Sequence, residues 1–430
     1  MLFRRRHGFG YRRFWRGVLH VLGPGLITGA ADDDPSGIAT YSQAGAQFGF
    51  AMGWVMLLTW PLMAAIQEIS ARIGRVTGKG IAANLREHYP APLLQFIVAL
   101  LLVANFINLG ADLGAMGDAL RLLIGGPRGL YVVLFAAICA VLEIYSSYER
   151  YVKFLKWMTL SLFAYIAAAL MVTVPWSEVA RNTFVPRILW QQDYVVMIVA
   201  VLGTTISPYL FFWQASEEAE DERIDPAKHP LIEAPAEGRE EIRRIEFDTY
   251  IGMGFSNLIA FFIIVTSAAT LHQQGITDIQ TADQAAQALR PVAGDLAFFV
   301  FALGILGTGL LAVPVLAGSA AYAVAEVFGW RSTLEARFLQ AKGFYLIILG
   351  ATALGFALGF TPLDPIKMLV WSAVLNGVVS VPIMGMMMVL VTSSAVMGRF
   401  RARPWLAVVG WGATALMGLT VAGLILSSLI

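Results

Sequence analysis

Three consecutive carboxylates, Asp32, Asp33 and Asp34, interrupt an otherwise apolar run and are followed at once by Pro35, Ser36 and Gly37. Hard divalent cations are bound by carboxylates and neutral oxygens. Carboxylates inside a membrane span are costly and mark ion or proton paths. Pro35 has no N–H and pushes Asp34 out of helical geometry, so a helix running through this stretch must break. A break frees carbonyls that bind a cation where they line a cavity. Gly23 to Tyr41 therefore reads as a discontinuous transmembrane helix able to hold a divalent metal ion. The competing reading is an external turn between two short helices, since each flank has only about 13 residues against about 20 for a full span. Side chains on a helix point about 100° apart, so the three Asp cannot all face one ion.

A second interruption, Gly203-Thr204-Thr205-Ile206-Ser207-Pro208-Tyr209, falls five apolar segments later. Pro208 alone is the signature of a simple kink. Paired interruptions at matching places in two halves point instead to the midplane site of a transporter. Five spans reverse the direction of insertion, so the two units would be inverted repeats.

The elements that must position these residues are membrane helices. Of 430 residues, 58% are hydrophobic and 14% charged, against about 25% charged in soluble domains. The net charge of +1 gives no argument for nucleic-acid binding. Cys139 is the only cysteine, which rules out a disulfide within the chain and a cysteine metal cluster. No HExxH, nucleophile elbow or P-loop is present, so an enzyme is not expected. The Arg-rich start resembles the charged region of a signal peptide. Asp-Asp-Asp-Pro is a poor cleavage context, however, and the run reads as a retained first span.

Apolar segments near 17–49, 51–71, 93–124, 130–148, 154–175, 193–216, 247–271, 295–328, 343–360, 365–391 and 405–429 predict an all-α polytopic membrane protein of eleven transmembrane helices, the first and sixth broken. The expected organisation is a basic cytoplasmic N-terminus (1–16), repeat 1 (17–175, spans 1–5), repeat 2 (193–391, spans 6–10) and span 11 (405–430). Repeat 2 includes a polar insert at 217–246. With the N-terminus cytoplasmic, Lys and Arg favour the inside by about four to one, as the positive-inside rule requires. This predicts a multi-pass protein of a bacterial inner membrane, with the lipid bilayer as its surroundings; oligomeric state is not readable. Glu217 to Glu222 read as part of a solvated loop, with an acidic cation-gathering vestibule as the alternative. Met386-Met387-Met388 reads as lipid-facing or packing rather than as a soft-metal relay.

The motifs Gly23-Pro24-Gly25, Asp34-Pro35-Ser36-Gly37, Gln67 through Ala71-Arg72-Ile73-Gly74-Arg75-Val76-Thr77-Gly78, Asp112-Leu113-Gly114, the Pro208 break, Asn376-Gly377-Val378-Val379-Ser380 and Met397-Gly398 resemble the Nramp family of divalent-metal transporters over nearly the whole chain. The resemblance implies a leucine-transporter-type inverted repeat with the metal held between spans 1 and 6. It makes Asp34 the expected ligand. Asp33 would bind through water or line the approach, and Asp32 would face the outer cavity. Gly37, Thr205 by its carbonyl, Ser207 and Asn376 complete the expected metal set. Ser36, Tyr209, Gln214, Gln67, Glu68 and Asp112 are expected along the cavity or pathway.

Departures from the family pattern sharpen the reading. The family's Asn in span 1 is Gly37 here; its Met-Pro-His in span 6 is Ser207-Pro208-Tyr209. A later His falls at Gln214, and the Glu that follows the span-3 Asp is Ala115. These changes are similar to the magnesium-transporting Nramp-related branch. A thioether suits transition metals, whereas Mg²⁺ prefers oxygen and keeps part of its water. Ser207 in place of Met, with room for water beside Ser36 and Gly37, predicts transport of partly hydrated Mg²⁺ and of Mn²⁺. No cofactor is expected beyond the transported cation. His is the usual proton carrier near neutral pH, and its loss predicts transport uncoupled from protons. The alternatives are a proton-coupled Mn²⁺/Fe²⁺ symporter and, from another class, a sodium-coupled amino-acid carrier.

Overall fold

The computed structural model describes residues 24–145, 162–224, 228–334, 338–359 and 364–429, and these are helical with no strand among them. The basic N-terminus expected at 1–16 and the start of the first span lie outside the described residues. The first broken helix is α1 (Pro24–Asp32) and α2 (Pro35–Phe48). Then come α3 (Gly53–Thr77), α4 (Ile81–His88), α5 (Ala91–Ile124), α6 (Arg128–Tyr145), α7 (Phe163–Met171) and α8 (Trp176–Phe184). The second broken helix is α9 (Gln192–Thr205) and α10 (Pro208–Ile224), followed by α11 (Gly238–Thr270), α12 (Ala297–Phe328), α13 (Lys342–Gly359), α14 (Pro365–Thr392) and α15 (Pro404–Leu429).

Among the described residues, eight helical runs are long and apolar enough to cross a membrane. One of them, Pro35–Thr77, holds both the second half of the first broken span and the span after it. The segments expected at 130–148 and 154–175 fall partly outside the described residues.

Both breaks arise from local chemistry. Asp34 is extended (φ −68°, ψ 172°) and caps α2, with Pro35 at the first helical position, where a missing N–H does no harm. At the second break Ile206 leaves helical geometry (φ −119°, ψ 64°), and Pro208 opens α10. In a continuous helix Pro208 would deprive the Thr204 carbonyl of its partner; the Ser207 hydroxyl lies 2.8 Å from that carbonyl instead.

Packing sets the two breaks side by side. α1 touches α10 and α2 touches α9, while α11 lies along both α1 and α2. α5 is wedged against α12, α13 and α14, and α9 runs along α14. Small residues permit the closest approaches, as is usual between membrane helices. A Cβ on Gly29 would sit 2.5 Å from the Gly252 carbonyl carbon and oxygen, and one on Gly203 would sit 2.1 Å from the Ala373 carbonyl oxygen.

The polar insert differs from a solvated loop. α10 continues to Ile224 and α11 begins at Gly238, and Glu218, Glu220 and Glu222 are buried. Glu218 pairs with Arg244 at 2.5 Å, and Glu222 with Arg75 at 3.2 Å. Glu220 accepts from Tyr322 and Thr333. Arg75 also meets Glu237 and Glu241, so the acidic run meets the basic motif of α3 in one ion-pair cluster.

Gly203→Leu should force α9 off α14. Overpacking of this kind costs about 1–3 kcal/mol, read as a lower thermal midpoint of the detergent-solubilised protein. Gly412→Ala, where a Cβ meets nothing within 4 Å, should leave the midpoint unchanged.

Candidate metal site

Asp34 sits at the first break and is 1% exposed. Its Oδ1 accepts from the Gly37 N–H and the Ser36 hydroxyl, both at 2.7 Å. Its Oδ2 lies 3.2 Å from the Tyr209 hydroxyl, which is also 3.1 Å from the Ala31 carbonyl oxygen. One side chain of α10 thus bridges both sides of the break in α1 and α2. Asp32 and Asp33 turn toward α11. Ser256 there donates to Asp32 Oδ2 at 2.6 Å and lies 3.2 Å from Asp33 Oδ1. The triad therefore splits where the helix is broken, with Asp34 on the α10 side and Asp32 and Asp33 on the α11 side.

At the second break the Ser207 hydroxyl points back to the carbonyls of Gly203 and Thr204, at 2.9 and 2.8 Å. Its one hydrogen is used there, and its lone pairs remain available as donors to a cation. The Thr205 hydroxyl likewise turns back to Val201 at 2.9 Å. Ser380 of α14 donates to the Ile206 carbonyl at 2.7 Å. α1 and α9 each end at a break, where their last carbonyls carry partial negative charge.

The space beside Gly37 is filled. A Cβ there would lie 3.3 Å from Thr204 Oγ1 and from Tyr41 Cε2. An oxygen of Thr204 therefore stands where room for water was expected. The Met116 thioether packs against Gly309. Among the described residues no three His, Cys, Asp or Glu side chains converge as a metal cluster, so an ion at the break would rely on one carboxylate with hydroxyl and carbonyl oxygens.

The remaining expected residues separate into two groups. Asn376 accepts from Asn108 at 2.7 Å, and Asp112 is buried on α5 one turn from Asn108. Gln67 donates to Gln214 and to the Leu210 carbonyl, and Gln214 continues to Thr249 at 3.2 Å. These amides tie α3, α10 and α11 together. Glu68 pairs with Arg72 at 2.5 Å, and Arg72 with Glu246 at 2.8 Å, so Glu68 belongs to an ion-pair cluster rather than to the break. Ser256 and Asn108 were not named from the sequence, and Thr204 and Ser380 stood only inside longer motifs. The i, i+3, i+7 spacing of Asn105, Asn108 and Asp112 is the signal that could have found Asn108.

Two interrupted helices packed break to break, with a buried carboxylate between them, define a secondary transporter of the leucine-transporter fold. The Nramp sequence profile (natural resistance-associated macrophage protein-like) matches residues 25–427, and the chain belongs to that family. It is 26% identical over 427 residues to the divalent metal cation transporter MntH of Klebsiella pneumoniae, covering 96% of this chain and 95% of that protein. The structure resembles a crystal structure of the Eremococcus coleocola manganese transporter, with a TM-score of 0.73, 18% identity, and coverage of 96% and 87%. It also resembles Mhp1, a nucleobase-cation-symport-1 transporter, at a TM-score of 0.54, 14% identity, and coverage of 95% and 93%. The named relatives are transporters, not enzymes.

Arg72→Met should leave Glu68 buried without its partner. Loss of one member of a buried pair costs about 3–5 kcal/mol, seen as a fall in thermal midpoint. The double variant Glu68→Gln with Arg72→Met should recover most of that loss. If the double variant is as unstable as Arg72→Met alone, the pairing is not what stabilises α3.

Proposed function

We propose that this chain carries Mg²⁺ and Mn²⁺ across a bacterial inner membrane, with Asp34 as the charged ligand and no proton carried along. The spans number eleven in this reading, the N-terminus is cytoplasmic, and the two halves alternate access to the break. The observation that carries it is the second break itself: its Ser207-Pro208-Tyr209 brings no thioether or imidazole, and Tyr209 meets Asp34. Gly37, Thr205, Ser207 and Asn376 complete the ion's surroundings, directly or through water, and Asp33 lines the approach. Oxygen donors alone do not reject hard ions. The named relatives support a divalent metal ion as the substrate class.

Coupling follows from the same substitutions. Tyr209, Gln214 and Ala115 do not titrate near neutral pH, so a proton has no relay at the positions where the family has His and Glu. Membrane potential suffices instead. At about 2.3 kcal/mol per charge per 100 mV, a divalent ion gains about 4.6 kcal/mol, or about three decades of accumulation. With Asp34 buried, this conformation is closed, and admission of an ion with its waters requires α1 or α9 to move. The second reading is proton-coupled Mn²⁺ symport. It keeps a divalent metal ion as the substrate, as the name of the MntH relative has it.

In proteoliposomes loaded with a Mg²⁺-sensitive dye, Asp34→Ala should abolish uptake. Ser207→Met should shift preference toward Mn²⁺ or Cd²⁺. Uptake should respond to an imposed potential and leave lumenal pH constant. Lumenal acidification during Mn²⁺ uptake would establish the second reading, and unchanged selectivity in Ser207→Met would remove the oxygen-against-sulfur argument.

A further inference from the structure

One face of α5 carries Asn105, Asn108 and Asp112, all 0% exposed. Their i, i+3, i+7 spacing stacks them in a stripe about 10 Å long. Asn105 donates its amide hydrogens to the Leu316 carbonyl at 2.9 Å and to Ser319 Oγ at 2.7 Å. Asn108 donates to the Ala104 carbonyl at 3.0 Å and to Asn376 Oδ1 at 2.7 Å. Each amide is thereby fixed in orientation. The Oδ1 of each, and both oxygens of Asp112, are buried and meet no donor among the described residues.

Acceptors left without donors are expensive. An unsatisfied buried polar atom costs about 1–3 kcal/mol, and more if charged. A row of them is compensated only by something that brings hydrogens or positive charge. The stripe also adjoins the first break. Met116, one turn beyond Asp112, and Pro35 both lie against Gly309 of α12. α2, which Asp34 caps, also packs against α5.

We propose that Asp112 and Asn108 form a second cation subsite beside Asp34, which accepts hydrogen bonds from the water shell of the same divalent ion. This rests on the reading of Asp34 as its ligand. Asp32 and Asp33 are turned to Ser256, so on the α5 and α10 side two carboxylates balance two positive charges. Asp34 alone would leave a net positive charge in a low-dielectric interior, where uncompensated charge is strongly disfavoured. Waters bound to a cation donate hydrogens outward, and the stripe offers only acceptors. Mg²⁺ gives up its waters reluctantly, so the subsite favours Mg²⁺ over more readily dehydrated ions. Asn376 positions Asn108 and so sets the subsite's geometry.

The test is calorimetric binding of Mg²⁺ and of Mn²⁺ to the full chain in detergent, beside uptake into proteoliposomes. Loss of an outer-shell partner lowers metal affinity by about 10–100-fold, and Asp112→Asn should do so for Mg²⁺ with a smaller loss for Mn²⁺. Asn108→Leu, which removes an acceptor without touching charge, should weaken Mg²⁺ binding in the same direction. Asn108→Asp, which adds a carboxylate to the stripe, should tighten it. Should Asp112→Asn fail to run as a single species on size exclusion, the two Asn108 variants decide the matter. Wild-type Mg²⁺ affinity in the folded α5 variants would overturn the proposal, as would loss of proton movement alone with metal affinity intact. Wild-type binding and uptake in Asp34→Asn would instead refute the reading of Asp34, an outcome separate from those for α5.

Discussion

Everything at the centre of this molecule depends on one carboxylate that finishes a broken helix from within. Asp34 cannot be helical because Pro35 follows it, and its side chain turns to cap the helix that Pro35 begins. One oxygen satisfies Gly37 and Ser36, and the other faces Tyr209 from the second broken helix. Capping and the proposed cation binding are not rival roles for this residue. The cap fixes the carboxylate's orientation and occupies one oxygen. The other is left to a neutral phenol, whose hydrogen has a second acceptor in the Ala31 carbonyl. A cation arriving at Asp34 can take the place of that one hydrogen bond without undoing the cap.

The helix ends reinforce this arrangement. α1 and α9 each end at a break, and their last carbonyls bring partial negative charge. α2 and α10 begin there and bring partial positive charge. Asp34 neutralises the start of α2 through two short hydrogen bonds, and Ser207 turns its hydroxyl to the end of α9. The uncancelled contribution is that of the carbonyl ends plus the carboxylates, which is the field a cation requires. An anion or a zwitterion with a carboxylate of its own would meet repulsion from Asp32, Asp33 and Asp34 together. That separates this site from an amino-acid carrier of the same architecture.

The sequence showed most clearly what is decided locally. A proline directly after polar residues in an apolar run, as at Asp34-Pro35 and Ser207-Pro208, marks a break from local sequence alone, so both interruptions, their pairing and the fold type could be read before any packing was known. Residues whose role is set by a neighbour distant in the chain could not. Ser256 is an unremarked serine on an apolar helix until α11 lies against α1. Gly37 looked like open space, and it is Thr204 of the other repeat that fills it. Glu218 and Glu222 looked solvated because a run of acids usually is; Arg244 and Arg75 are 26 and 147 residues away from them. Glu68 shared a segment with Gln67, yet adjacent side chains on a helix diverge, and only Gln67 reaches α10.

The distribution of strong and weak contacts indicates which parts can move. α3, α10 and α11 are joined by Arg72, Arg75 and Arg244 with their carboxylates, and removing one partner from a buried pair is costly. α1 is held differently. Asp248 accepts from the Gly25 N–H at 2.7 Å, Ser256 holds Asp32, and Gly29 packs against Gly252. Single hydrogen bonds of this kind contribute about 0.5–3 kcal/mol each, and contact between small residues adds a modest amount. On the proposed reading, an ion bound at Asp34 competes for Tyr209, a side chain that links α10 to the last turn of α1. Its arrival would then loosen α1 from α10 while leaving the ion-pair cluster intact. Alternating access needs that asymmetry: a lightly tethered half-helix moving against a base that stays together.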